Sequence, residues 1–158
     1  MKCYFIRHAK AGYNAPSDTA RPLTDEGRSQ AQSMATALHR IGTHPTTIFC
    51  SPRVRAQQTA TILGDAFGVS PVIDDACNFD FNLRKAQTLL DGLAVDARVF
   101  FVGHNPSMSE IVGEIAGAAV DLPTCAVVYI NGVHPDSVRG AALKWVLTPK
   151  IVDALLTG

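Results

Sequence analysis

The sequence predicts an α/β fold: a three-layer α/β/α sandwich on a mostly parallel central sheet, with an antiparallel pair at one edge. Two observations predict it. Through most of the 158 residues, short β-branched and aromatic runs alternate with longer segments of helical period, the pattern of parallel strands joined by helical crossovers. The last part changes character, with two apolar runs separated by a Gly/Asn/Pro-rich turn, which reads as a late antiparallel pair.

In order, Lys2 to Ile6 is a first strand that stops at Arg7-His8. A polar loop follows through Asp18 and Arg21-Pro22. Thr24 then offers an N-cap, with Asp25 and Glu26 placed favourably against the helix dipole. Ala31, Met34, Ala35 and Leu38 recur at helical spacing, and Gly42 supplies a stop. Thr46 to Cys50 is a second strand, with Ser51 read as N-cap and Pro52 as the first position of a helix running to Gly68. Val69 to Ile73 reads as a short strand or simply extended chain, Leu83 to Leu93 as a helix and Val99 to Val102 as a buried strand. Asn105-Pro106 opens a helix that reaches Ile115, and Ala126 to Ile130 and Leu143 to Leu147 form the final pair.

Composition bounds the function. Hydrophobic residues make up 47% of the chain and charged ones 18%, as expected of one globular domain spanning 1–158. Fourteen Lys and Arg balance fourteen Asp and Glu, which argues against general affinity for nucleic acid or an anionic membrane. Any anion site must be local. The four cysteines lack a CxxC pair and read as reduced, inert residues. The N-terminal apolar run is too short for a signal peptide, and no stretch approaches the roughly 18 apolar residues of a membrane span. The expected location is the cytoplasm, and the expected state a monomer.

The informative feature is positional. Three strand-to-helix junctions carry basic or imidazole groups: Arg7-His8, Ser51 to Arg55, and Gly103-His104-Asn105. Ligands of open α/β sheets bind at the carboxyl ends of strands, so these segments should converge on one cleft. Helix N-termini at two of the junctions, capped by Ser51 and Asn105, should aim amides into it. Two arginines, two histidines and helix amides describe a pocket for a phosphate-sized dianion, which an arginine fork binds through two oxygens. A histidine among arginines should resist protonation and so be free to attack phosphorus. A second histidine, if protonated, would stabilise the equatorial oxygens. Taken singly, each feature has an ordinary explanation: a surface Arg-His pair, a turn-capping His104, a solvated Arg55. Their combination at three junctions carries the reading. No metal or other cofactor is expected, because His39, His44 and His134 lack ligand spacing.

The motifs Phe5-Ile6-Arg7-His8-Ala9, Arg21-Pro22-Leu23-Thr24, Ser51-Pro52 with Arg55-Ala56-Gln57-Gln58-Thr59, and Val102-Gly103-His104-Asn105-Pro106, with a last strand ending near Pro149-Lys150, resemble the histidine phosphatase superfamily. That family has the phosphoglycerate mutase-like fold, and the likeness is greatest to its small SixA-type phosphohistidine phosphatases. Ala9 replaces the family's usual glycine. The resemblance implies that His8 is the phosphorylated nucleophile. It places Arg7, Arg55 and His104 around the phosphate and has Arg21 reaching in from the loop before the first helix. The same loop offers Asn14 and Ser17, which no motif fixes. Larger members use a carboxylic acid to protonate the leaving group. Here Asp80 and Asp75 are the candidates, neither in a marked motif. An imidazole leaving group needs less acid. The short chain leaves little room for a lid, which favours a phosphorylated partner protein, such as a phosphohistidine domain or phosphocarrier. Phosphate or sulfate is expected in the pocket. The alternatives are a phosphomonoesterase for a small metabolite and a phosphate-binding module without turnover.

Overall fold

Strand β1 (Lys2–Arg7) shows how the sheet divides the molecule. Its side chains alternate, so Cys3 and Phe5 enter one apolar cluster while Tyr4 and Ile6 enter another on the opposite face. Strand β4 (Arg98–Gly103) repeats this, sending Val99 and Phe101 one way and Phe100 and Val102 the other. A strand apolar on both faces belongs in the middle of a covered sheet. The computed structural model, which describes residues 1–158, puts both there.

The remaining strands are β2 (Thr47–Cys50), β3 (Val72–Ile73), β5 (Val127–Asn131) and β6 (Ala142–Leu147), in the order β3-β2-β4-β1-β5-β6. Pairing is parallel from β3 to β1 and antiparallel through β5 and β6. One face is covered by α1 (Asp25–Arg40), α2 (Val54–Phe67) and α5 (Pro149–Leu156), which supply Met34, Leu38, Ala60, Leu63 and Val152. The other carries α3 (Leu83–Leu90) and α4 (Ser107–Ala116), through Leu90, Met108 and Ile111. This is the expected α/β/α sandwich with an antiparallel edge. No helix is long and apolar enough to cross a membrane.

Two local expectations need correction and two are sharpened. Helix α2 begins at Val54 with Arg53 as its N-cap, not at Ser51-Pro52. The third strand shrinks to Val72–Ile73, because the Val69 amide closes the end of α2 on Gly64 O and Pro71 has no N–H for a ladder. Helix α3 stops at Leu90, where Gly92 turns the chain at φ +77°. Finally, the last strand ends at Leu147, just before Pro149-Lys150 as expected. Pro149 opens α5, and the Thr148 hydroxyl caps it by accepting from the Ile151 amide.

Helix α1 is held close to the chain leaving β1. The Lys10 carbonyl accepts the Thr24 amide at 3.0 Å, and the Thr24 hydroxyl caps the Gly27 amide. A Cβ on Gly27 would lie 2.0 Å from the Lys10 carbonyl oxygen. Only glycine fits there. The loop after β1 is therefore clamped against α1 immediately beyond His8.

Candidate active site

Strands β1, β2 and β4 lie side by side and parallel, so their carboxyl ends deliver His8, Ser51 and His104 to one place. The rings of His8 and His104 are 5.2 Å apart between centroids. Arg55, from the first turn of α2, donates through Nε to His8 Nε2 at 3.2 Å. His8 and His104 are 9% and 1% exposed and Arg55 3%. The three junctions thus converge as expected.

The hydrogen bonds orient each ring. His8 Nδ1 lies 2.7 Å from the Ala9 carbonyl oxygen, which can only accept, so Nδ1 carries the proton and Nε2 presents its lone pair to Arg55. Burial drives the His8 pKa down to about 4, with further lowering from the Arg55, Arg7 and Arg21 charges and partial opposition from the Ala9 bond. The sequence-based reason, a ring among arginines, is thus the smaller one. Desolvation leads.

His104 behaves alike: burial, then the His8 and Arg55 charges, lower its pKa to about 3. The protonated form, under which this histidine would stabilise the equatorial oxygens, is thus disfavoured by its surroundings. Its Nε2 lies 2.7 Å from Ser51 Oγ. Its Nδ1 is buried and has no protein partner.

Ser51 is not a helix cap. Its Oγ is engaged by His104 and accepts the Arg53 amide at 3.3 Å. The Val54 amide, first in α2, is taken by the Thr19 carbonyl, so that helix start does not offer it to the pocket. At α4 the N-cap is Pro106. Asn105, one residue earlier, accepts from the Ser109 amide and hydroxyl and donates to the Leu122 carbonyl. Arg7 donates to that same carbonyl at 2.9 Å, while its Nε is buried without a partner.

Arg21 reaches the cluster: its charge helps to lower the His8 pKa, and it donates to Gly12 O and to Asp18 Oδ1. Asp18 is the centre that sequence reasoning missed. Its carboxylate pairs with Arg21, Arg53 and Arg55 together, and the Arg21 hydrogen bond leads in holding its pKa below the usual carboxylate range. Its place three residues before Arg21, in a loop read as facing a cationic pocket, was the available signal. Thr59 was also missed. One helical turn after Arg55, its hydroxyl donates to Arg55 O and accepts the Ala9 amide, tying α2 to the residue after His8. Cys125 adds a third tie, because its amide donates to both the Arg7 and His8 carbonyls from a left-handed φ of 61°.

Of the suggested acids, Asp80 lies outside this network and Asp75 meets it only through Asn78, which accepts from Arg53. Asp80 is exposed and paired with Lys85 at 2.6 Å, which holds its pKa down. An ionised, ion-paired carboxylate is poorly suited to donating a proton. Asp75 accepts from Asn78 at 3.0 Å, and Ser17 accepts the Ala20 amide. Asn14 is exposed. The cysteines are free and buried, and burial raises the thiols of Cys3, Cys50 and Cys125 to about 12, 11 and 12. No group of three or more His, Cys, Asp or Glu is placed to hold a metal ion.

Comparison with known proteins agrees with this geometry. The profile of the histidine phosphatase superfamily (branch 1) matches residues 3–78. An uncharacterized protein of Picosynechococcus is 35% identical over 121 residues, 73% of each chain. The chain belongs to the histidine phosphatase superfamily. Within it, the phosphohistidine phosphatase SixA of Escherichia coli is 26% identical over 156 residues, 94% of each chain. A solved structure of the protein histidine phosphatase SixA with tungstate superposes with a TM-score of 0.82 at 23% identity, over 95% of this chain and 98% of that one. The chain thus shares the fold of SixA along nearly its whole length.

Proposed function

We propose that the protein is a metal-independent protein phosphohistidine phosphatase that works through a covalent phosphohistidine on His8. The observation that carries this reading is the His8 ring: buried and neutral, its Nδ1 proton pinned by Ala9 O and its Nε2 lone pair held against Arg55. A nucleophile needs that lone pair free of a proton at neutral pH, and the site keeps it so. The whole-length similarity to SixA supports the substrate class.

In the first step His8 Nε2 attacks phosphorus, and the bond from phosphorus to the substrate's imidazole nitrogen breaks. Its electron pair leaves on that ring, which takes up a proton. In the second step water attacks the phosphoryl on His8, loses a proton, and the electron pair returns to Nε2. Phosphate departs. Arg7, Arg55 and Arg21 hold the oxygens as charge spreads over them. Arg55 passes its Nε–H from the His8 lone pair to an oxygen, which releases the nucleophile as the anion arrives. His104 can serve while neutral. If Ser51 donates to Nε2, the ring proton lies on Nδ1, whose donor has no protein partner. A bound dianion would also draw the His104 pKa upward.

No carboxylate of the site stands ready as an acid, which suits an imidazole leaving group and disfavours an alkoxide. The substrate is then a phosphohistidine on a phosphotransfer domain or phosphocarrier, met in the cytoplasm by a single-domain monomer. Turnover of a histidine-phosphorylated protein, measured beside a panel of phosphate monoesters with and without chelator, tests this. Preference for the phosphoprotein, unchanged by chelator, is expected. Clear preference for one monoester would overturn it.

A further inference from the structure

Phe79 is a large apolar residue left 47% exposed beside the His104 imidazole. Scattered exposed apolar side chains are ordinary, but this ring is held. The Arg53 guanidinium carbon lies 3.8 Å from its centroid. Arg53 Nε is fixed by donating to Asn78 Oδ1 at 2.8 Å, and the Phe79 amide donates to that same oxygen at 3.0 Å. The ring sits 4.8 Å from that of His104, inclined at 58°, and 5.8 Å from the Arg55 guanidinium carbon. The arginines and histidines supply what a phosphoryl group requires. Phe79 adds a half-exposed aromatic ring next to them, which a phosphate has no use for.

We infer that Phe79 is the platform for the leaving group: the substrate's imidazole packs against the exposed part of its ring while the phosphoryl enters the arginine pocket. This rests on the proposed phosphohistidine phosphatase activity. Aromatic rings gain from offset or tilted contact at roughly 4.5–7 Å. An imidazole protonated for departure gains further from the negative face of a phenyl ring. The site thereby selects a P–N bond borne by a planar ring over the same bond borne by a bare or aliphatic nitrogen.

The test compares kcat/KM for N-phosphoimidazole with that for inorganic phosphoramidate, which has the P–N bond without the ring. Phe79→Leu, which keeps apolar bulk but removes the π face, lowers the phosphoimidazole-to-phosphoramidate ratio about fivefold. Phe79→Trp maintains or raises it. A ratio unchanged within about twofold in both variants, with the two substrates falling together, makes Phe79 only a prop for Arg53 and overturns the inference. Wild-type enzyme that cleaves phosphate monoesters but neither P–N compound overturns the phosphohistidine reading, and this inference with it.

Discussion

The floor of the site and its rim are built differently. On the floor, His8, His104, Ser51 and Arg7 are fixed largely by backbone carbonyls and by neighbouring strands: Ala9 O orients His8, Leu122 O takes Arg7, and β1, β2 and β4 set the spacing. On the rim, Arg21 and Arg53 converge on a half-exposed carboxylate, Asp18, and Arg53 carries Phe79. Arg55 joins the two, with its Nε on His8 and its outer nitrogens on Asp18. The floor is buried and low in dielectric, so each polar contact there counts heavily. The rim is wet, so its ion pairs are individually weak. Chemistry belongs to the floor and selection to the rim.

The largest effect should come from the residue that spans both. Arg55→Ala should lower kcat about 10²- to 10³-fold, as loss of a buried charge-stabilising donor does. Lys should restore little, since it lacks the fork. Steady-state kinetics on a phosphohistidine substrate reads this, and a loss under tenfold would remove the distinction between floor and rim.

A second prediction probes the frame that holds the floor. Gly27→Ala drives a methyl into the Lys10 carbonyl and should cost about 1–3 kcal/mol in denaturant unfolding. An unchanged midpoint would mean that the clamp beyond His8 gives way freely.

Proton uptake offers a third. In the unfolded chain both histidines bind a proton below about pH 6.5, whereas the folded pKa values are about 4 for His8 and about 3 for His104. The unfolded state therefore binds more protons in that interval. The stability these rings contribute is complete above about pH 6.5 and is lost as pH falls towards 4 and below. NMR titration should find both rings neutral at pH 5.5, and tungstate should raise their pKa values by about one to two units. A ring titrating near 6.5 without ligand would place it in water.

The smallest effect is expected at the rim. Asp18→Ala should change kcat/KM less than about fivefold, because the carboxylate is itself half-exposed and solvent screens its ion pairs. A loss as large as that of Arg55→Ala would show that Asp18 belongs with the floor.

The same contrast explains what was legible in the sequence. Strand ends are placed by sheet topology, so polar residues just after β1, β2 and β4 could be assigned to one cleft before any side chain was seen. Asp18 and Phe79 depend on loop conformation, which no periodicity encodes. Polar residues with two possible uses misled. Ser51-Pro52 and Thr148-Pro149 are the same helix-start signal. Thr148 does cap α5, whereas Ser51 turns to His104, and nothing local in either pair distinguishes them. The low His8 pKa was anticipated from neighbouring charge, but burial, a property of the assembled fold, is its main cause.

The most direct test is to quench the enzyme during turnover under alkaline conditions that preserve phosphoramidates and map the phosphate by mass spectrometry. A single phosphoryl group on His8, absent from His8→Ala, is the predicted result. Phosphate on another residue, or undiminished turnover by His8→Ala, would contradict the account.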